Sequence, residues 1–150
     1  HTVGRVTPFK TRGDVALAGT FGYELDITKI APEEQEAISG QVALYHKYND
    51  LVREGDYYRI ASFADNHYYD CYMVVSKDKK EALMTFVSVF ARPNFHSRRI
   101  CLQGLDPKLE YYVEDCTKQR YGGDVLMNAG ILVPSEQGDY RSYLYHFVAD

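Results

Sequence analysis

The stretch Gly55–Asp56–Tyr57–Tyr58–Arg59–Ile60 marks the point at which the periodicity of this sequence changes. Before it, apolar residues recur at the three-to-four-residue spacing of helices, and after it they alternate with polar residues as in β-strands. A helix-rich segment followed by a run of short strands is typical of two structural units. The sequence therefore predicts a boundary here, with residues 1–55 on one side and residues 56–150 on the other.

The first unit predicts a helix, a strand and a second helix. A short helix follows Thr7–Pro8, residues 20–25 form a strand, and a long helix begins at Pro32 and ends before Gly55. Proline suits the first helical position because its missing N–H would have no partner there. One broad apolar stripe is expected on the long helix, made of Ile38, Val42, Tyr45, Asn49 and Val52 and flanked by Leu44, Tyr48 and Leu51. A lone strand between helices needs parallel neighbours, so this unit is interpreted as the end of a β/α domain.

The second unit predicts six to eight short strands, the pattern of an antiparallel, Greek-key-like β-sandwich, and makes the chain mainly β. Residues 82–91 are apolar on both faces and predict a central strand. Residues 122–130 predict one short helical turn. The expected core consists of Cys71, Met73, Leu83, Phe86, Val87, Val89, Ile100, Leu102, Val113, Leu144 and Phe147.

Composition narrows the classes of partner. The net charge is −4, with 21 acidic and 17 basic residues, so no basic footprint for nucleic acid is present. No apolar run approaches the ~20 residues that span a bilayer, and we expect no membrane partner. The three cysteines, Cys71, Cys101 and Cys116, lack metal-type spacing, and we expect no metal or cofactor. An odd number of cysteines favours a reducing, cytoplasmic location, with Cys71 and Cys101 as core residues.

One pair of carboxylates, Glu24 and Asp26, is a candidate catalytic site. Glu24 and Asp26 are two residues apart on the predicted strand, so their side chains would share one face, as a glycosidase pair does. A structural role is favoured, in which Asp26 caps the following loop and Glu24 forms an ion pair. His67 is likewise better explained as a loop residue than as a ligand-binding one.

Several motifs resemble the C-terminal end of glycoside hydrolase family 36 α-galactosidases. They occur in the family's order in both halves of the chain: residues 4–8, 11–16, 19–26, 55–59, 104–107, 123–130 and 138–146. Where relatives usually have tryptophan in two sandwich strands, this chain has Tyr72 and Tyr145.

The resemblance implies a fold and an activity for the parent protein. Residues 1–55 would be the last helix-strand-helix units of a (β/α)8 barrel, and residues 56–150 a C-terminal antiparallel β-sandwich. The family's mechanism is retaining and uses two aspartates on earlier barrel strands, so no catalytic residue is expected in this chain. The parent would be a cytoplasmic α-galactosidase whose barrel binds raffinose- or melibiose-like galactosides.

Two alternatives stay open at this point. The tyrosine-rich sandwich could instead be a carbohydrate-binding module that grips sugars by aromatic stacking. The barrel piece, lacking its neighbours, predicts either homo-oligomer formation through residues 15–52 or folding of that segment onto the sandwich in an arrangement unlike the family's.

Overall fold

The computed structural model describes residues 4–94, 97–114, 119–135 and 137–149. Its helices are α1 (Phe9–Ala16), α2 (Pro32–Glu54), α3 (Phe63–Asn66) and α4 (Gly123–Asn128). Its strands are β1 (Asp56–Ala61), β2 (Tyr69–Val75), β3 (Glu81–Ser88), β4 (Arg98–Ile100), β5 (Glu110–Val113), β6 (Arg120–Gly122), β7 (Ile131–Val133) and β8 (Arg141–Ala149). A short 3-10 turn, Ile27–Lys29, lies between α1 and α2.

Six strands form one antiparallel sheet in the order β1-β2-β3-β8-β5-β6, and β4 pairs with β7 in a two-stranded sheet. The predicted antiparallel β architecture of the second half is confirmed. Strand β3 lies between β2 and β8 and is buried from Ala82 to Val87, as its two-sided apolarity predicts. The elements α3 and β6 were not predicted, because four and three residues are too few to show a period.

The two faces of the large sheet are covered by different elements. On one face, residues such as Met73, Met84 and Phe147 pack with Ile100 of β4 and Leu126 of α4. On the other face, Val74 and Leu83 pack against Tyr48 and Leu51 of α2. Helix α1 also contacts this second face, along β8 and β3. Most of the predicted core is buried, although Val89 and Leu144 are only partly buried.

Helix α2 has the predicted bounds but not the predicted orientation. Its buried residues are Gln41 and two residues of the predicted flank, Tyr48 and Leu51, which lie one row around the helix from the centre of the predicted stripe. Ile38, Val42, Tyr45, Asn49 and Val52 are only partly buried. Tyr48 and Leu51 make the contact with the sheet, whereas Gln41 is buried by its hydrogen bonds to Phe9 and Tyr23.

The predicted strand at residues 20–25 is wrong for this structure. These residues belong to no strand, since a parallel strand needs hydrogen-bonding neighbours on the same sheet. Their aromatic rings instead pack on the helices: Phe21 stacks on Tyr45 with centroids 5.3 Å apart, and Tyr23 on Phe9 at 6.0 Å.

A single residue, Gly55, separates α2 from β1. A Cβ atom at this position would lie 2.5 Å from Cγ1 of Val74 and 2.8 Å from the carbonyl oxygen of Val75. Glycine is therefore required by the close approach of the chain to β2. The periodicity change thus coincides with a tight, packed junction.

Candidate functional site

The predicted carboxylate pair does not form a catalytic arrangement. Asp26 caps the 3-10 turn by accepting hydrogen bonds from Thr28, at 3.1 Å from the backbone N–H and 2.6 Å from the hydroxyl. These bonds and the ion pair with Lys29 lower the pKa of Asp26. Glu24 is exposed and, among the described residues, forms no ion pair. The capping role expected for Asp26 is thus observed, and the ion pair expected for Glu24 is not.

The most elaborate side-chain chemistry lies between the helices and the sheet, in a region we call the seam. Asp14 of α1 is 4% exposed and accepts a 2.6 Å hydrogen bond from the Ser142 hydroxyl on β8. Lys10, one turn earlier on α1, forms an ion pair with the same carboxylate. The Thr11 hydroxyl donates to the backbone carbonyl of Tyr140 at 2.6 Å. These bonds fix α1 to the start of β8.

A second set of contacts joins α1, α2 and the loop between them through Gln41. The Gln41 amide donates to the Phe9 carbonyl at 3.1 Å and accepts from the Tyr23 hydroxyl at 2.7 Å. A Cβ atom at Gly13 would lie 2.4 Å from Nε2 of Gln41. The glycine in the middle of α1 therefore makes room for this buried amide.

The third part of the seam is a buried histidine between two carboxylates. Nδ1 of His146 lies 2.6 Å from Oε2 of Glu114, and Nε2 lies 2.7 Å from Oε1 of Glu81. Each ring nitrogen thus has a carboxylate oxygen within hydrogen-bond distance. The Tyr48 ring of α2 meets the imidazole edge to face at 4.9 Å, and Lys47 forms an ion pair with Glu114.

The neighbouring groups of this cluster shift the pKa of Glu114. Hydrogen bonds from Lys47 and then His146 lower the pKa of Glu114 below its ordinary value. The hydrogen bond between Lys47 and Glu114 also raises the pKa of Lys47. An open cleft of about 620 Å³ lies beside the cluster, with Phe9, Leu44 and Leu144 among its apolar residues.

The remaining candidate residues from the sequence are the three cysteines and His67. Cys71 is fully buried, and burial raises the pKa of its thiol to about 12, which makes it a core residue as predicted. Cys101 is exposed, so its predicted core role is wrong; β4 ends one residue earlier. His67 is an exposed left-handed residue that ends α3. Cys116 lies outside the described residues.

Sequence reasoning missed the seam almost entirely. The partners of His146 are distant along the chain, since they are contributed by β3 and by the residue after β5. The available signal was polar residues, Ser142 and His146, on one face of an otherwise apolar strand.

Within the described part of the chain, no group of three or more histidine, cysteine or acidic residues could hold a metal ion. No described helix is long and apolar enough to cross a membrane.

The fold and the seam define a class: an antiparallel β domain whose large sheet carries two helices anchored by buried hydrogen bonds. The family model for the glycosyl hydrolase family 36 C-terminal domain matches residues 69–147, and the model named melibiase matches residues 1–55. The chain belongs to glycosyl hydrolase family 36.

Curated relatives are α-galactosidases. Alpha-galactosidase Mel36A of Lactobacillus acidophilus is 40% identical over 146 residues, and alpha-galactosidase AgaA of Geobacillus stearothermophilus is 41% identical over 150 residues. These alignments cover 97% and 99% of this chain but 20% of each relative. The chain thus spans about a fifth of the length of the relatives it matches.

Solved structures show the same arrangement of all the elements. The structure of AgaA from G. stearothermophilus matches with a TM-score of 0.93 at 40% identity, covering 100% of this chain and 20% of that one. An AgaA variant in complex with raffinose gives the same TM-score at 39% identity, with the same coverage. Helices α1 and α2 therefore lie on the sheet as in the family, and the expected non-family arrangement is wrong.

Proposed function

We propose that this chain is the C-terminal region of a retaining α-galactosidase, which removes terminal α-galactosyl groups from raffinose- or melibiose-like oligosaccharides. The observation that carries the proposal is the coverage: the chain aligns over 100% of its length with a TM-score of 0.93, and it accounts for 20% of the AgaA chain. In this proposal residues 1–55 are the end of the catalytic barrel and residues 56–150 the C-terminal domain. The proposed location is the cytoplasm.

The role of the chain itself would be to hold the last barrel helices in place. Seam bonds such as Ser142 to Asp14 and the Gln41 amide to Phe9 are directional, so they define where α1 and α2 lie on the sheet. The adjacent row of α2 carries the partly buried Ile38, Val42 and Tyr45. That row suits packing against the remaining barrel, while the galactoside binds to barrel residues upstream.

A chimera tests this proposal. The C-terminal fifth of G. stearothermophilus AgaA is replaced by this chain, and hydrolysis of a chromogenic α-galactoside is measured beside AgaA and a truncated AgaA that lacks the fifth. We expect an active chimera and an inactive truncation. A folded chimera without activity would contradict the proposal.

The isolated chain provides the second half of the test. We expect no hydrolysis of the same substrate above the blank, because neither family aspartate motif is present. Turnover by the pure chain would contradict the assignment and return Glu24 and Asp26 to consideration. Light scattering on the same sample tests the homo-oligomer prediction for residues 15–52.

A further inference from the structure

A cleft of about 570 Å³ lies at one end of the β domain, between the last residue of β3 and the loops before β4 and after β7. Its aromatic side is formed by the partly buried ring of Tyr143, which packs on the buried ring of Phe86, 6.2 Å away on the neighbouring strand of the large sheet. Tyr69 stacks on the other side of Phe86 at 5.0 Å and supports it. The cleft therefore has a rigid aromatic floor anchored in the core.

The described residues that form the walls of the cleft are mostly polar. They present two hydroxyl groups, two side-chain amides and one guanidinium group, from Ser88, Ser135, Asn94, Gln137 and Arg92. Among the described residues that line the cleft, Arg92 carries the only charge. Hydroxyl and amide groups both donate and accept hydrogen bonds, so they match a ligand that also does both at many positions.

Hydrogen bonds between loops hold these walls in place. The Ala91 N–H donates to Oδ1 of Asp139 at 2.8 Å, which ties the loop after β3 to the loop before β8. Arg141 donates from Nε to the Gln137 carbonyl at 3.1 Å. The Arg92 guanidinium lies 3.1 Å from the centroid of the Tyr68 ring, so its orientation is fixed too.

The backbone around the cleft adopts unusual conformations. Asn94 and Tyr140 have φ values of 56° and 57°, in the left-handed region that side chains other than glycine rarely adopt. Such a conformation is strained and persists where the surroundings impose it, often at ligand sites. Tyr140 is held there by hydrogen bonds to Val89 and Thr11.

We propose that this cleft binds a neutral oligosaccharide, with one hexose ring against Tyr143 and its hydroxyl groups bonded to Ser88, Asn94 and Gln137. Aromatic faces suit the apolar C–H face of a sugar ring, while amide and hydroxyl groups suit its rim. A volume of about 570 Å³ is within the range of small-molecule sites and large enough for two hexose units. The inference goes beyond the proposed function, since it assigns a ligand to residues of this chain.

The test is a titration of the whole chain followed by ¹⁵N–¹H NMR, with raffinose and melibiose as probes and inorganic phosphate as the comparison anion. We expect saturable shifts with the sugars at the amides of Ser88, Arg92, Asn94 and Gly138. The absence of saturable shifts with both sugars would overturn the proposal. Shifts with phosphate alone would overturn it in favour of an anion site.

Variants locate the site. Gln137→Ala should weaken sugar binding about three- to tenfold, the effect of one lost hydrogen bond, while Ser88→Leu should abolish it by filling the cleft. Gln103→Ala, at an exposed position outside the cleft, is the matched control and should bind as the parent does. If Ser88→Leu does not fold, Gln137→Ala and Arg92→Ala keep the test decisive. Unchanged binding in folded cleft variants would overturn the proposal, whatever the outcome for the α-galactosidase chimera.

Discussion

The two faces of the large sheet are held by different kinds of interaction. One face is apolar, with Met73, Met84, Phe86 and Phe147 almost inaccessible to solvent. The other face meets α1 and α2, and it contains the buried polar side chains of the described part of the chain: Thr11, Asp14, Gln41, Thr85, Ser142 and His146. Apolar burial is non-directional, whereas hydrogen bonds require defined positions. The comparison indicates that the apolar face supplies stability and the seam supplies the placement of the helices.

The largest expected effect is on the apolar face. Phe86→Ala should lower the free energy of unfolding by about 3–5 kcal/mol, because the side chain is buried and its removal leaves a cavity. Urea denaturation followed by circular dichroism measures it. Val125→Ala, at an exposed position on α4, is the control and should cost under about 0.5 kcal/mol. A loss below about 1 kcal/mol for Phe86→Ala would contradict the burial of β3.

Substitutions in the seam should change the free energy of unfolding less, and the effects of substitutions on α1 and on β8 should depend on each other. Asp14→Ala removes the acceptor of the Ser142 hydroxyl and should cost about 1–3 kcal/mol. A double-mutant cycle with Ser142→Ala measures the coupling directly. Asp50→Ala, which removes an exposed ion pair with Arg53, should have almost no effect. Additive effects of Asp14→Ala and Ser142→Ala would show that the two residues act independently.

Two glycines provide a matched pair with effects of opposite sign. Gly13→Ala would push a methyl group into the Gln41 amide, and we expect a loss of about 1–2 kcal/mol from overpacking and disturbed hydrogen bonds. Gly40→Ala adds a methyl group with nothing within 4 Å and should stabilise α2 by about 0.5–1 kcal/mol. Thermal denaturation compares the two. Equal effects at both positions would rule out the tight contact at Gly13.

The smallest effect concerns pH. Because its folded-state pKa is lowered by Lys47 and His146, Glu114 should contribute stability above its unfolded pKa, and that contribution should disappear as the pH falls through the folded-state pKa. Glu114→Gln should therefore be less stable than the parent near pH 6, and the difference should shrink below about pH 4. Urea midpoints across this range measure it. A difference that grows on acidification would contradict the assigned sign.

The two faces also differ in how well the sequence predicts them. The start of strand β3 and both ends of helix α2 were predicted within about two residues, because alternation and helical spacing are local signals, although β3 ends three residues earlier than predicted. The seam was not predicted, because Asp14 and Ser142 are 128 positions apart and their pairing depends on the folded chain. The prediction of a strand at residues 20–25 was wrong for a related reason. A parallel strand forms only where neighbouring strands pair with it, and its own sequence does not show whether they do. The burial of Gln41 on α2 was not predicted, because this side chain is buried through hydrogen bonds to Tyr23 and Phe9 rather than through hydrophobicity.

Native-state hydrogen exchange tests the division of roles between the two faces most directly. The Asp14→Ala variant is compared with the parent, amide by amide, under conditions in which both are folded. We predict faster exchange in α1 and α2, with unchanged protection at Met73 in β2 and Met84 in β3. A uniform increase across the helices and the central strands would contradict the account, because it would show that the seam and the apolar face unfold as one unit.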